Sequence, residues 1–225
     1  MNTVTLGQLR ESVKRKADME DSDFISDQEF NELINSALSR THDLLVNTYE
    51  DYFLQKALLH IEAGREEYIL PDDLLKLKGV FYLGSGNSKY MLKTWELDDL
   101  QFDDMVAATT VLFDSGVENL RYRMFGNKIV FFPVPTKSGD CEIWYVPQFK
   151  KLEEDNDSVE WVLPIGWEDY TKYLAVSMAL AIEESDNRFW TFMAQEEERR
   201  IRENAPDRDT GRPIKWKEVV HYREI

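Results

Sequence analysis

Three histidines and one cysteine, His42, His60, His221 and Cys141, are the residues with which this chain could do metal or nucleophilic chemistry. They fall in different segments with no His or Cys at ligand spacing, so no transition-metal site is indicated. Each histidine reads as a surface or capping residue. Carboxylates are plentiful instead. Asp98-Asp99, Asp103-Asp104 and Glu153-Glu154-Asp155-Asn156-Asp157 gather the oxygen ligands that calcium takes, but none follows the EF-hand order with its invariant glycine. They read as solvated loops. Glycoside hydrolysis needs only two carboxylates a few ångströms apart; the 43 acidic residues allow that alternative, and no motif points to it. The run GSGNSK at 84–89 lacks phosphate-loop spacing, and neither a G-x-S-x-G elbow nor an H-E-x-x-H pair is present. No catalytic residue, cofactor or metal is expected.

The composition sets further bounds. With 225 residues, 43 % of them hydrophobic, the chain can bury a core without metal or disulfide staples. One cysteine cannot pair within the chain, which fits assembly in a reducing cytoplasm. No apolar run has signal or membrane-spanning length, so neither export by a signal nor membrane insertion is expected. A net charge of −16 is hard to reconcile with a monomer that grips phosphate backbones. Such a surface serves solubility, or keeps nucleic acid mobile as it passes.

Around these residues the elements must be placed. The longest is a helix from Ser26 to about Tyr49. Ser26 and Glu29 form a capping box, Ile25 and Phe30 the matching hydrophobic staple. Phe30, Leu33, Ile34, Ala37, Leu38, Thr41, Leu44, Leu45 and Thr48 then draw one apolar stripe. Thr5 with Gln8 repeats the capping box for a first helix lined by Leu6, Leu9, Val13 and Ala17. A polar connector, Asp18–Phe24, folds the two into an antiparallel pair.

From Tyr52 the texture turns to strands. Phe53–Ile61 and Glu67–Leu70 around Ala63-Gly64-Arg65 predict a hairpin. Pro71 opens a single helical turn through Leu74, Leu75 and Leu77, and Val80–Leu83 and Tyr90–Leu92 follow as strands. Glu96–Asp104 reads as a short acidic helix. Leu120–Phe125 and Lys128–Phe132 flank Gly126-Asn127, a two-residue hairpin turn, and Cys141–Val146 adds a third antiparallel strand.

After the acidic loop Glu153–Ser158, a helix from Trp167 to about Glu184 carries the stripe Tyr170, Tyr173, Leu174, Ser177, Met178 and Ala181. Small residues Ala175, Ala179 and Ala181 permit close helix approach. Ser185-Asp186-Asn187 breaks it and caps a fourth helix, Arg188 to about Asn204. On that helix acids precede arginines by three and four positions. The pattern supports a solvated helix by internal pairing; alternatively Glu196, Glu197, Arg199 and Arg200 make a charged inter-subunit seam. The last 20 residues are polar yet keep Ile214, Trp216, Val219, Val220 and Tyr222, an apolar load suited to a neighbouring chain or to packing back on the protein itself.

The fold expected is α+β: a four-helix bundle from residues 1–52 and 160–205, an inserted antiparallel β-rich region at 53–159, and an extended tail at 206–225.

Several segments, in order, are similar to the head-to-tail adaptor proteins of tailed bacteriophages, the connector or tail tube A proteins under the portal. They are T-L-G-Q-L-R at 5–10, A-D-M-E-D-S-D-F-I-S-D-Q-E-F-N-E-L-I-N-S-A at 17–37, Y-I-L-P-D-D-L-L-K-L at 68–77, N-K-I-V-F-F-P-V-P at 127–135 and W-Y-V-P at 144–147. The resemblance implies a non-enzymatic virion protein of the neck or tail, assembled in the host cytoplasm as a dodecameric ring. It implies docking on the portal protein on one side and on the tail or nozzle protein on the other, with double-stranded DNA passing through unbound. A role in DNA ejection follows, without any membrane partner. The portal-facing role falls on the C-terminal residues Ile214, Trp216, Val219, Val220 and Tyr222. Competing readings are a tail-completion or nozzle component one layer further down, and a virion-associated cell-wall hydrolase with paired carboxylates.

Overall fold

The computed structural model describes residues 4–22, 24–49, 51, 53–84, 88–95, 120–159 and 167–204. Within them the protein is mixed α+β, with four helices and two four-stranded sheets. The chain divides into two compact units. One takes the chain up to Tyr49 and again from Leu152; the other is Glu50–Lys151.

The first unit is helical. Helix α1 (Leu6–Ala17) starts at Thr5, whose side chain accepts from Gln8 N while the Gln8 side chain accepts from Thr5 N. Helix α2 (Asp27–Thr48) starts the same way at Ser26 with Glu29. These reciprocal bonds satisfy donors that a first turn leaves unpaired, and they fix both starts where the sequence places them. Ile25 and Phe30 are both buried. So are Leu6, Leu9, Val13 and Ala17, the stripe expected of α1. Asp18 ends α1 in the left-handed region at φ 58°, with Lys14, Arg15 and Lys16 in the last turn where the helix dipole favours cations.

Helix α3 (Glu168–Ile182) packs against α1, α2 and helix α4 (Arg188–Asn204). Covered from several sides, it buries Tyr170, Thr171, Ala175, Val176, Ser177, Ala179 and Leu180. The single stripe expected from its spacing therefore fails in part: Ala181 is exposed, and Tyr173, Leu174 and Met178 are half-buried. Ala175 and Ala179 do lie at the contacts, where the absent side-chain bulk lets helices approach. His42, expected at the surface, is buried on α2.

The second unit holds strands β1 (Gln55–Ile61), β2 (Glu67–Ile69), β3 (Leu74–Leu83), β4 (Lys89–Met91), β5 (Lys93–Thr94), β6 (Arg121–Phe125), β7 (Lys128–Phe132) and β8 (Gly139–Pro147). One sheet runs β1-β8-β3-β4, the other β2-β7-β6-β5. All pairs are antiparallel except β5 with β6. Ile61, Val80, Ile143, Tyr122, Ile129 and Phe131 belong to one core drawn from both sheets.

The expected hairpin over β1 and β2 does not form. Both strands exist, but β1 pairs with β8 over seven residues and β2 with β7. The ladder with β8 engages all seven residues of β1, whereas the three-residue β2 could have offered it three pairs at most. The loop between them crosses from sheet to sheet and is pinned on the way: Glu62 N donates to Tyr68 Oη at 2.7 Å and Gly64 N to Pro135 O at 2.8 Å. The helical turn expected after Pro71 is likewise replaced. One turn closes from Leu74 N to Pro71 O, and Leu74 then enters β3 opposite Pro147. Strand β8 does not extend the β6–β7 hairpin but sits between β1 and β3. That hairpin itself forms as expected, with Phe125 opposite Lys128 and Gly126 at φ 58°. The expected helix at Glu96–Asp104 and the C-terminal residues Ile214, Trp216, Val219, Val220 and Tyr222 lie outside the described residues.

Candidate functional site

The acidic loop Glu153–Ser158 is the densest gathering of carboxylates in the described chain, and it acts as a clamp. Leu6 N donates to Asp157 O at 2.8 Å and Gly7 N to Asp155 O at 3.0 Å, so the loop's carbonyls satisfy donors at the start of α1. Gly7 permits the approach, because a Cβ there would come within 3.3 Å of Asp155 O. Arg10 then grips the Asp155 carboxylate with two parallel bonds, 2.7 and 2.9 Å, and reaches Asn31 Oδ1 on α2 at 3.0 Å. Its bond with Asp155 raises the Arg10 pKa and holds the Asp155 carboxyl below its ordinary range. Asp157 turns its carboxylate inward to accept from Glu153 N and Glu154 N at 2.8 and 2.9 Å. Oxygens that could have ligated calcium are thus committed to the protein. Among the described residues no cluster of His, Cys, Asp or Glu is arranged to hold a metal ion.

The other shifted carboxyls behave alike. Lys14 lowers Asp27, the Ser26 backbone lowers Glu29, Lys89 lowers Glu142 and Arg188 lowers Asp186. Each is held as an anion by a donor; proton donation at neutral pH needs the opposite shift.

On α4 the charges pair within the helix. Arg199 meets Glu196 at 2.7 Å and Glu203 at 3.0 Å, Arg200 meets Glu197 at 3.1 Å, and Arg202 meets Glu198 at 2.7 Å. At the other end of α4, Phe189 and Phe192 are 62 % and 56 % exposed, one helical turn apart. Between them Trp190 stacks on Tyr173, with Lys16 Nζ over both rings. The missed sequence signal for this aromatic knot is F-W-x-F at 189–192, with the acids Glu196, Glu197 and Glu198 beyond it on the same helix.

A second surface was also missed, on the face of the β1-β8-β3-β4 sheet turned away from the core. Leu58, Glu142, Phe81 and Met91 stand in one cross-strand row. Trp144 packs against Phe81 and carries Lys56 Nζ 4.2 Å above its ring, while its indole N–H donates to Glu142 Oε1. Lys89 pairs with the same carboxylate at 2.8 Å. The alternation of Glu142 with Trp144 and of Lys89 with Met91 signalled such a face; which strands it joined required the pairing.

These features brace backbone and present apolar and charged faces; they assemble no reaction centre among the described residues. Exposed faces of this kind suit a structural protein that works by contact. The chain belongs to the SU10 adaptor protein family, whose sequence model matches residues 4–215. It is therefore a structural adaptor protein of bacteriophage and a component of the virion, as its resemblance to head-to-tail adaptors implies. No curated protein matches it. No described helix is long and apolar enough to cross a membrane.

Proposed function

We propose that the protein forms a dodecameric ring that joins the portal to the tail and lines the DNA exit channel. Membership of an adaptor family across residues 4–215 carries this reading. A net charge of −16 supports it, because an acidic lumen repels phosphates and lets the duplex slide. In this reading residues 1–52 and 160–205 act as one four-helix bundle that builds the ring, with Glu196, Glu197, Arg199 and Arg200 along the subunit seam. Residues 53–159 contact the next component. Ile214, Trp216, Val219, Val220 and Tyr222 on the tail meet the portal or a neighbouring subunit. A closed ring needs a heterologous contact, which unpaired sheet edges and an apolar tail can supply.

The test is negative-stain imaging of the purified protein with and without isolated portal, beside a form lacking residues 206–225. Rings that dock on portal, and truncated protein that folds but does not dock, are expected. Docking by the truncated form removes the tail from the contact. Binding to tail proteins in place of portal moves the protein one layer down.

A further inference from the structure

We propose that strand β4 of one subunit pairs with strand β1 of the next, so that neighbouring subunits share a continuous β-sheet. This deepens the reading of a ring-forming protein and rests on it.

Among the described residues the sheet β1-β8-β3-β4 ends in two edges. Strand β1 offers seven residues without proline or bulge, and β4 is exposed along its whole length. Such edges are usually blunted, because their unpaired N–H and C=O groups recruit other strands. Here each edge keeps one lysine, Lys56 on β1 and Lys89 on β4, yet each also bares an apolar side chain. Leu58 on β1 is 68 % exposed and Met91 on β4 is 66 % exposed. They belong to the same cross-strand row and so to the same face, at opposite margins of the sheet.

Backbone orientation agrees. Leu92 N donates to Val80 O and Gly84 N to Ser88 O, which makes 80/92 and 84/88 hydrogen-bonded positions. By the alternation of antiparallel ladders, Met91 and Lys89 then direct their N–H and C=O away from β3, into the open edge. Carried across the row through Phe81 and Glu142, the same alternation turns the backbone of Leu58 away from β8. The row Lys89, Leu83, Asp140, His60 does the same for His60. Strand directions also alternate across the sheet, so β4 laid against β1 of another copy is antiparallel once more. Two narrow pairs result, Leu58 with Met91 and His60 with Lys89, giving about four backbone hydrogen bonds. Asp140, 2.8 Å from His60 Nδ1, and Glu142, 2.8 Å from Lys89 Nζ, place a carboxylate beside each member of the second pair. A second copy is the occupant because this chain holds both halves of the match, and a β4-to-β1 contact is head-to-tail, the kind that closes rings.

The experiment is disulfide trapping. Narrow antiparallel pairs place Cα atoms about 5.5 Å apart, within disulfide reach. The native Cys141 is fully buried and does not compete. A Leu58→Cys/Met91→Cys double variant, assembled and then mildly oxidised, should run as a ladder of covalent oligomers that collapses on reduction. Each single variant should run as a monomer on the same denaturing gel although it assembles, with light scattering run in parallel to follow assembly. Assembled particles without cross-links overturn the shared sheet and leave the ring standing. Cross-linked dimers of a single variant overturn the head-to-tail pairing. Absence of both particles and cross-links overturns the ring together with the shared sheet.

Discussion

Asn35 on α2 and Leu152, just before the acidic loop, are joined as two strand residues would be. The Asn35 amide donates to Leu152 O at 3.0 Å and accepts from Leu152 N at 2.8 Å, 117 residues apart in sequence. The same amide group also donates to Asn31 O. One buried side chain thus satisfies both backbone groups of a chain segment that has no strand beside it. Replacing Asn35 by Leu keeps the volume and strands both groups, at about 1–3 kcal/mol each where water cannot reach. Chemical denaturation of Asn35→Leu should show a loss of about 2–4 kcal/mol; an unchanged midpoint would mean the loop is held elsewhere.

Asp155 gives the clamp on α1 a pH dependence of known sign. Its carboxyl is held below the ordinary range by the Arg10 bond. The stabilisation it contributes is therefore complete above the unfolded value of about 4 and fades as pH falls through the lower folded value. Thermal unfolding of wild type and Asp155→Asn should differ at pH 6, and the gap should close progressively below about pH 4.

Thr41 and Thr171 share a buried hydroxyl contact of 2.7 Å, and Thr41 Oγ1 also donates to Ala37 O. With its own proton committed, Thr41 accepts from Thr171. The two valine variants should then be unequal. Thr41→Val leaves the Thr171 hydroxyl without its acceptor and should cost about 1–3 kcal/mol, whereas Thr171→Val removes only the donor and should cost about 1 kcal/mol. The double variant should be no worse than Thr41→Val, a coupling that a double-mutant cycle reads directly.

Cys141 lies in β8 with its thiol pushed up to about 12, first by burial and then by the neighbouring Asp140. The thiolate is the reactive form, so the folded protein should resist thiol reagents at pH 8. Labelling should proceed only at the rate at which the sheet opens, and denaturant should release it fully.

What could be foretold follows the range of the interactions. The starts of α1 and α2 were legible because a capping box and its staple are set within four or five residues. The β6–β7 hairpin was legible because Gly126 makes its own turn. Strands β1 and β2 were legible as strands, but their partners were not, since Gln55 pairs with Tyr145 and Glu67 with Val130. Neither distance leaves a local mark. Leu74 was mistaken for helix because Pro71 opens a turn in either case, and only pairing with Pro147 decides it. Helix α3 was misread on one face because a stripe marks burial against one partner, and this helix has three. Of the candidate contacts, the α4 charges could be located, with pairing inside the helix. The sheet edges could not, because an edge is defined by what fails to pair with it.

The position of β8 between β1 and β3 also governs when this unit can come into being. It is the last strand of its unit to leave the ribosome, yet among the described residues β1 has no lateral partner, and β3 only the three-residue β4, until it threads between them. Nascent chains must therefore leave β1 and one margin of β3 open until synthesis reaches Gly139, a delay that long-range pairing makes slow to end. Chains lacking β8 would offer raw strand margins to one another, so in the ring proposed above completion of this sheet would act as a checkpoint for joining.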